Sequence, residues 1–288
     1  MSELISLEKV SFDAPVCRDY AREEIEYVNI LTDISFKINK GEFCVITGAT
    51  GSGKSSLLRL LKKELTTKGH RKGKILWKGT KLEELSEKEM SCKVGFVGQN
   101  PEHQCVTDKV WHELAFGLEN MGISQSEIRR RVAEAAAYFD MEDLYYRETD
   151  SLSGGEKQLL NLASVLIMRP EIIVLDEPTS QLDPIASQRF INTLVKINRE
   201  LGITVLIAEH RIGDVICEVN HILVMENGRL AFDTDVSSIG NDEIYWNLPG
   251  CVREALPCYI RLFKETKGEG CVPFSITEGR EYFVKIYK

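Results

Sequence analysis

Gly48-Ala49-Thr50-Gly51-Ser52-Gly53-Lys54-Ser55 is the stretch on which the fold turns. It fits G-x-x-x-x-G-K-[ST], with the apolar Phe43-Cys44-Val45-Ile46-Thr47 before it and the helical pattern Ser55-Ser56-Leu57-Leu58-Arg59-Leu60 after it. Glycines let the backbone turn so tightly that successive N–H groups converge on the β- and γ-phosphates of a nucleoside triphosphate. The start of the following helix adds the positive end of its dipole. Lys54 supplies a full charge, the Ser55 hydroxyl is an oxygen ligand for Mg²⁺, and Ser56 follows it on the helix. The loop selects a nucleoside triphosphate. It does not choose among kinases, GTPases and motor ATPases, which share it.

Working outward, residues 42–48, 93–99, 171–177 and 203–210 are nearly continuous apolar runs ending in polar residues. Such runs read as parallel strands covered on both faces, and ligands of these sheets bind beyond the strand carboxyl ends. Three of those ends carry Gln99, Asp176-Glu177 and His210; the fourth opens the glycine loop. Residues 4–12 and 30–38 alternate apolar and polar, as half-buried antiparallel strands do. Between them, Asp13 to Val28 is polar and longer than a hairpin turn, which predicts a mobile insertion. From about 100 to 152 the apolar spacing is helical, predicting a helical subdomain between the second and third parallel strands. Residues 221–233 read as a meander with Asn227-Gly228 at its turn, and a mixed tail follows over 234–288.

At 288 residues, 43% hydrophobic and 28% charged, the chain is of ordinary globular composition and long enough for one large domain or two modest ones. No apolar run approaches the ~18–20 residues of a membrane-spanning helix, and the start shows no secretory signal, so a cytosolic chain is expected. Net charge −8 is the wrong sign for a surface that neutralises phosphates, and no nucleic-acid partner is expected. The eight cysteines show no CxxC pair or zinc spacing and are expected as free thiols.

Three further segments narrow the choice. Leu152-Ser153-Gly154-Gly155-Glu156 opens a helical run, Ile172 to Pro178 follows about twenty residues later, and His210 ends the next strand. A Ser-Gly-Gly turn at a helix start aims a hydroxyl and several N–H groups outward as an anion site; it serves equally as a plain helix cap. An acidic pair at a strand end likewise can cap the next element, which Pro178-Thr179 permits, and a lone strand-end histidine is commonly structural.

In this order the motifs resemble the ATP-binding-cassette (ABC) ATPases, over about residues 4–233. The resemblance implies an α/β P-loop NTPase fold: a parallel core sheet, an antiparallel N-terminal sheet, a helical subdomain, and a small C-terminal extension from 234 to 288. It implies ATP and Mg²⁺ as ligands, Gly48 through Ser56 and Asp176 holding the nucleotide, and Ser55, Gln99 and Asp176 around the metal. Glu177 would activate or position the attacking water, His210 would sense the γ-phosphate, and Gln99 would belong to the Q-loop. Ser153, Gly154, Gly155 and Glu156, with Asp183 of the D-loop, would cap ATP bound to a second ABC ATPase subunit, as a homodimer or heterodimer. Glu156 stands where glutamine is usual, and Gln181 where small residues are common. Members also stack adenine on an aromatic just after the first strand, but Asp13 and Ala14 follow Phe12 here, leaving Phe12, Tyr20 or Tyr27 as candidates. A missing stack, worth about 1–3 kcal/mol, would weaken ATP binding without abolishing it.

Within the ABC ATPases the sequence is most similar to energy-coupling-factor importers, in Gly48–Leu58, in 99–104 and 106–122, and in 208–211. That implies ATP-driven uptake of a vitamin or transition metal from the cytoplasmic face of the membrane. The partners implied are an integral membrane coupling protein and a substrate-binding membrane protein. Trp111, Leu114, Phe116 and Leu118 are candidates to line the groove that receives a helix of the coupling protein. A soluble repair or translation ATPase is the alternative, as is a weakly hydrolysing subunit of a heterodimer. Against the first stand the acidic charge, the single cassette, and the absence of heptads in the roughly one hundred residues between Lys54 and Ser153.

Overall fold

The computed structural model describes residues 2–19, 24–268 and 272–286. They form two compact units, Met1–Glu84 with Ile207–Lys288, and Leu85–Leu206. In the first, β1 (Glu3–Asp19) and β2 (Glu24–Asn39) make a long antiparallel hairpin. Ile5, Leu7, Val10 and Phe12 pair with Ile38, Phe36, Ile34 and Leu31, and all eight are buried. Burying one face sets the register, since a slip of one residue would expose that row. The hairpin continues where sequence predicts an insertion: Ala14 sits opposite Val28 and Pro15 opposite Tyr27. Cross-strand hydrogen bonds suffice to extend it past the apolar rows. Tyr20 lies outside the described residues.

β3 (Phe43–Gly48), buried along its length, runs into the glycine loop and α1 (Lys54–Leu60). β4 (His70–Trp77) and β5 (Thr80–Lys81) complete an antiparallel sheet of order β2-β1-β4-β5.

The second unit opens with α2 (Glu87–Lys93) and β6 (Val94–Val97). The expected helical segment follows as α3 (Val110–Asn120) and α4 (Gln125–Tyr138), before α5 (Gly154–Leu166). Leu114 and Leu118 are fully buried where α3 packs against α4 and α5, so they belong to the core and not to an open groove. Trp111 and Phe116 are half-buried. The buried Glu113 carboxylate accepts from the N–H groups of Val106 and Thr107 and from the Thr107 hydroxyl, closing the segment before the helix. Then come β7 (Ile172–Asp176), α6 (Pro184–Leu201) and β8 (Thr204–Ala208), with β6 and β7 parallel and the order β8-β7-β6.

β8 ends in the first unit, where the order is β10-β9-β3-β8. β9 (His221–Glu226) runs parallel to β3, and β10 (Arg229–Asp235) returns antiparallel. Asn227 (φ 48°) and Gly228 (φ 74°) make the tight two-residue turn expected there. His221 ties the far end of these strands: Nε2 lies 2.5 Å from Asp233 Oδ1 and Nδ1 2.8 Å from Glu42 Oε1. Burial pushes its pKa down, but hydrogen bonds with Asp233, Cys44 and Glu42 outweigh burial and raise it to about 12. The extension is helical, with α7 (Asp242–Asn247), α8 (Gly250–Ala255), α9 (Cys258–Glu265) and α10 (Ile276–Ile286); α8 packs on β3. Among the described residues no helix is long and apolar enough to cross a membrane, and Cys44, Cys92, Cys105, Cys217, Cys251 and Cys258 are free thiols.

Candidate functional site

In the first unit, the apolar β3 delivers the chain to Gly48, whose φ of 145° only glycine holds without strain. A Cβ there would stand 2.1 Å from the Met225 carbonyl oxygen, so β9 tolerates no side chain at that point. Gly51 (φ 81°) and Gly53 (φ 99°) continue the left-handed turns. Lys54 is 3% exposed. Its Nζ donates to the Gly48 and Ala49 carbonyls at 3.0 and 3.1 Å and lies 3.3 Å from His210 Nε2. Ser52 Oγ is buried with no hydrogen-bond partner. His210 is set beside the loop because the Glu209 N–H donates to the Ile46 carbonyl at 3.0 Å. Thus the structure brings together Gly48, Ala49, Lys54 and His210, with Thr50, Ser55 and Ser56 on the same loop and helix.

In the second unit, Asp176 ends β7 and is 5% exposed. Glu177 follows with φ 47°, a left-handed conformation uncommon for a residue with a Cβ. Its carbonyl accepts from the Ser180 N–H and hydroxyl at 3.2 and 2.8 Å, which holds the turn. Gln99 Nε2 is 3.5 Å from Glu177 Oε2, so these two side chains meet.

Ser153 and Gly154 are exposed at the start of α5. Here Glu156 turns back: its carboxylate accepts from the Ser153 N–H at 2.8 Å and the Ser153 hydroxyl at 2.7 Å, while its own N–H donates to Ser153 Oγ at 3.3 Å. This is a capping box, and those bonds hold the Glu156 pKa below the usual carboxylate value. Asp183 caps α6, accepting from the N–H groups of Ile185 and Ala186. Gln181 is exposed.

Sequence reasoning passed over Lys157, Gln158 and Asn161. Lys157 pairs with Glu102 at 3.1 Å, Gln158 donates to the Gly98 carbonyl and Asn161 to the Pro101 carbonyl, fastening the segment after β6 to the helix that begins at the Ser-Gly-Gly turn. Three polar residues on one side of an otherwise apolar helix were the available signal. Of the candidates for a base-stacking ring, Phe12 is 2% exposed and belongs to the core, and Tyr27 leans on His70 with ring centroids 4.3 Å apart.

In the first unit, a glycine cradle with a buried lysine amine and an orphaned Ser52 hydroxyl suits phosphate; in the second, Gln99 and Asp176 offer oxygen donors of the kind a hard cation such as Mg²⁺ takes.

Residues 31–180 match the family model described as ABC transporter. A Bacillus cereus protein with the provisional name ABC transporter ATP-binding protein is 42% identical over 250 residues, 87% of this chain and 44% of its own. A Pyrococcus horikoshii protein of the same provisional name is 33% identical over 287 residues, 99% of this chain and 96% of its own. The chain therefore spans less than half the length of its Bacillus relatives. Among solved structures, cbiO1 from Clostridium perfringens, part of the ABC transporter complex cbiONQ, superposes with TM-score 0.72 at 28% identity, covering 85% of this chain and 93% of that one. A dimeric bacterial ABC transporter cassette gives 0.68 at 25% identity, covering 81% and 99%.

Proposed function

The chain belongs to the ABC transporter family of ATP-binding cassettes, and from that premise we propose that it hydrolyses ATP to power an importer of the energy-coupling-factor type. The observation that carries the reading is the buried Lys54 amine, folded into the glycine loop beside His210. Phosphate oxygens entering the loop would take this amine together with the loop N–H groups.

Ser55, Asp176 and Gln99 would hold Mg²⁺, which when bound neutralises charge on the β- and γ-phosphates. Glu177 would accept a hydrogen bond from the attacking water and take its proton, with Gln99 holding the carboxylate in place. His210 would donate to the γ-phosphate. Ser153, Gly154 and Gly155, with Asp183, would close on ATP held by a second ABC ATPase subunit. Closure is favoured while the γ-phosphate is present and lost after its release, which turns hydrolysis into movement.

The import reading is supported by the stretches at 99–104 and 106–122 and by the likeness to cbiO1. In it the chain sits on the cytoplasmic face of the membrane, Trp111 and Phe116 meet a coupling protein, and residues 234–288 serve as a dimerisation segment. The test is Glu177→Gln. ATP turnover should fall by about 10²–10⁴, the range for a lost general base, while ATP binding persists. Turnover near that of the unaltered chain would overturn the assignment.

The hold of Glu156 on the Ser153 hydroxyl favours a second reading, a weakly hydrolysing member of a heterodimer. Hydrolysis by the chain alone, compared with the reconstituted pair, separates the two.

A further inference from the structure

We propose that the C-terminal extension positions His210: the corner between α8 and α9 and the Tyr259 hydroxyl clamp the turn that follows the imidazole, and so set how closely it meets the γ-phosphate. The proposal rests on the reading of His210 as a partner of that phosphate. It gives residues 234–288 a task within one subunit, besides dimerisation.

The stretch between β8 and β9 carries His210 near its start and is tied to β3 at both ends. Glu209 N–H donates to the Ile46 carbonyl at 3.0 Å, and Asn220 N–H donates to the Phe43 carbonyl at 2.9 Å. Phe43 N–H returns a bond to Asn220 Oδ1 at 3.2 Å. Between these anchors lies the one-turn helix Ile212–Asp214, continued by a turn through Glu218. Ile212, Val215 and Ile216 are fully buried, which fixes the inner face of the stretch. Gly213 and Cys217 stand four residues apart, about one helical turn, and both meet the extension.

At the first contact, α8 packs on β3 and on the helix Ile212–Asp214. A Cβ at Gly213 would stand 3.3 Å from the Ala255 carbonyl oxygen and 4.0 Å from Pro257 Cδ, so the two backbones meet with little room for a side chain. At the second, Cys217 Sγ and the Tyr259 hydroxyl are 3.0 Å apart and share a hydrogen bond. Tyr259 is itself held from behind. A Cβ at Gly279 of α10 would stand 2.7 Å from Tyr259 Cβ. Lys264, also on α9, is buried and donates to the Gly240 carbonyl and, at 2.6 Å, to Asp242 Oδ1. The ring therefore stands on a fastened helix.

Gly213 follows three residues after His210, whose Nε2 lies 3.3 Å from Lys54 Nζ. With Glu209 bonded to β3 and Gly213 against α8, the backbone at His210 has little freedom left. Hydrogen bonds weaken steeply with distance and angle, so a small drift of the imidazole would be felt at a phosphate oxygen. Loosening the clamp would then cost affinity only for ligands that carry the third phosphate. ADP ends at the second and would not register the change.

The experiment is calorimetric titration of the full chain with the Mg²⁺ salts of ADP and of the β,γ-imido analogue of ATP, which resists hydrolysis. The readout is the preference for triphosphate over diphosphate. His210→Ala should narrow it by about tenfold or more, the weight of a hydrogen bond to a charged group. Tyr259→Phe and Cys217→Ala should each narrow it by about threefold, within what one neutral hydrogen bond carries, and leave ADP within about 1.5-fold. Added to His210→Ala, Tyr259→Phe should change the preference no further, because both act through one group. Should one of these two variants lose its circular dichroism, the other decides. An unchanged preference in either folded variant, equal weakening of ADP and the analogue, or an undiminished effect of Tyr259→Phe without His210 overturns the proposal. A preference that is absent or untouched by His210→Ala would sink the reading of His210 itself, and a chain that binds neither nucleotide would sink the phosphate-loop reading.

Discussion

Glu156 decides how available the Ser153 hydroxyl is. The serine offers its N–H and its hydroxyl to one carboxylate oxygen, so in the proposed two-subunit site a partner's phosphate would compete with a charge already in place. Glutamine keeps the reach of the side chain and removes the charge. A unit charge about 4 Å away in a water-like medium is worth about 1 kcal/mol, or roughly fivefold in an equilibrium. Glu156→Gln should therefore lower the ATP concentration for half-maximal turnover by about fivefold in steady-state assays. An unchanged value would show that this carboxylate does not face the partner's nucleotide.

Single elements show where pairing is bought by charge. The ends of β9 and β10 and the entry to β3 are held by His221 between Asp233 and Glu42. Because the folded pKa, about 12, lies above the ordinary histidine value, the stabilisation is complete below about pH 6.5 and fades as pH climbs toward the folded value. His221→Asn should lower the melting temperature by several degrees at pH 6, with the difference shrinking by pH 10. A constant difference would mean that shape, not charge, matters there.

Elements also differed in how legible they were. The glycine loop, the buried strands and the Asn227-Gly228 turn are local patterns, and each was readable. The outer hairpin was not, because residues 13–19 pair with residues 24–29 without the apolar alternation that burial writes into a sequence. β4 hid for a like reason: of its eight residues only Ile75 and Trp77 are buried. On α3, periodicity marks apolar positions but not their depth, so Leu114 and Leu118 looked like Trp111 and Phe116. Glu177 was visible as a carboxylate at a strand end; its left-handed backbone and its meeting with Gln99 depend on residues far apart in the chain.

At the scale of the molecule, the chemistry is divided. One compact unit carries the proposed phosphate grip and His210; the other carries Gln99, Asp176, Glu177 and the Ser-Gly-Gly turn. If that turn serves a second subunit, binding and turnover must be separable by substitution. Ser153→Arg places a bulky cation on an exposed residue at a helix start. ATP should still bind the folded variant within about twofold, while turnover falls by at least about a hundredfold, the scale of losing an arranged set of donors. Equal loss of both, in a variant with unchanged circular dichroism, would count against a shared site.

The depth of Lys54 has a practical corollary. A lysine that is 3% exposed is hidden from acylating reagents that modify lysines standing in solvent. Gentle treatment with an activated ester would thus decorate the periphery and spare the ammonium proposed to grip the triphosphate.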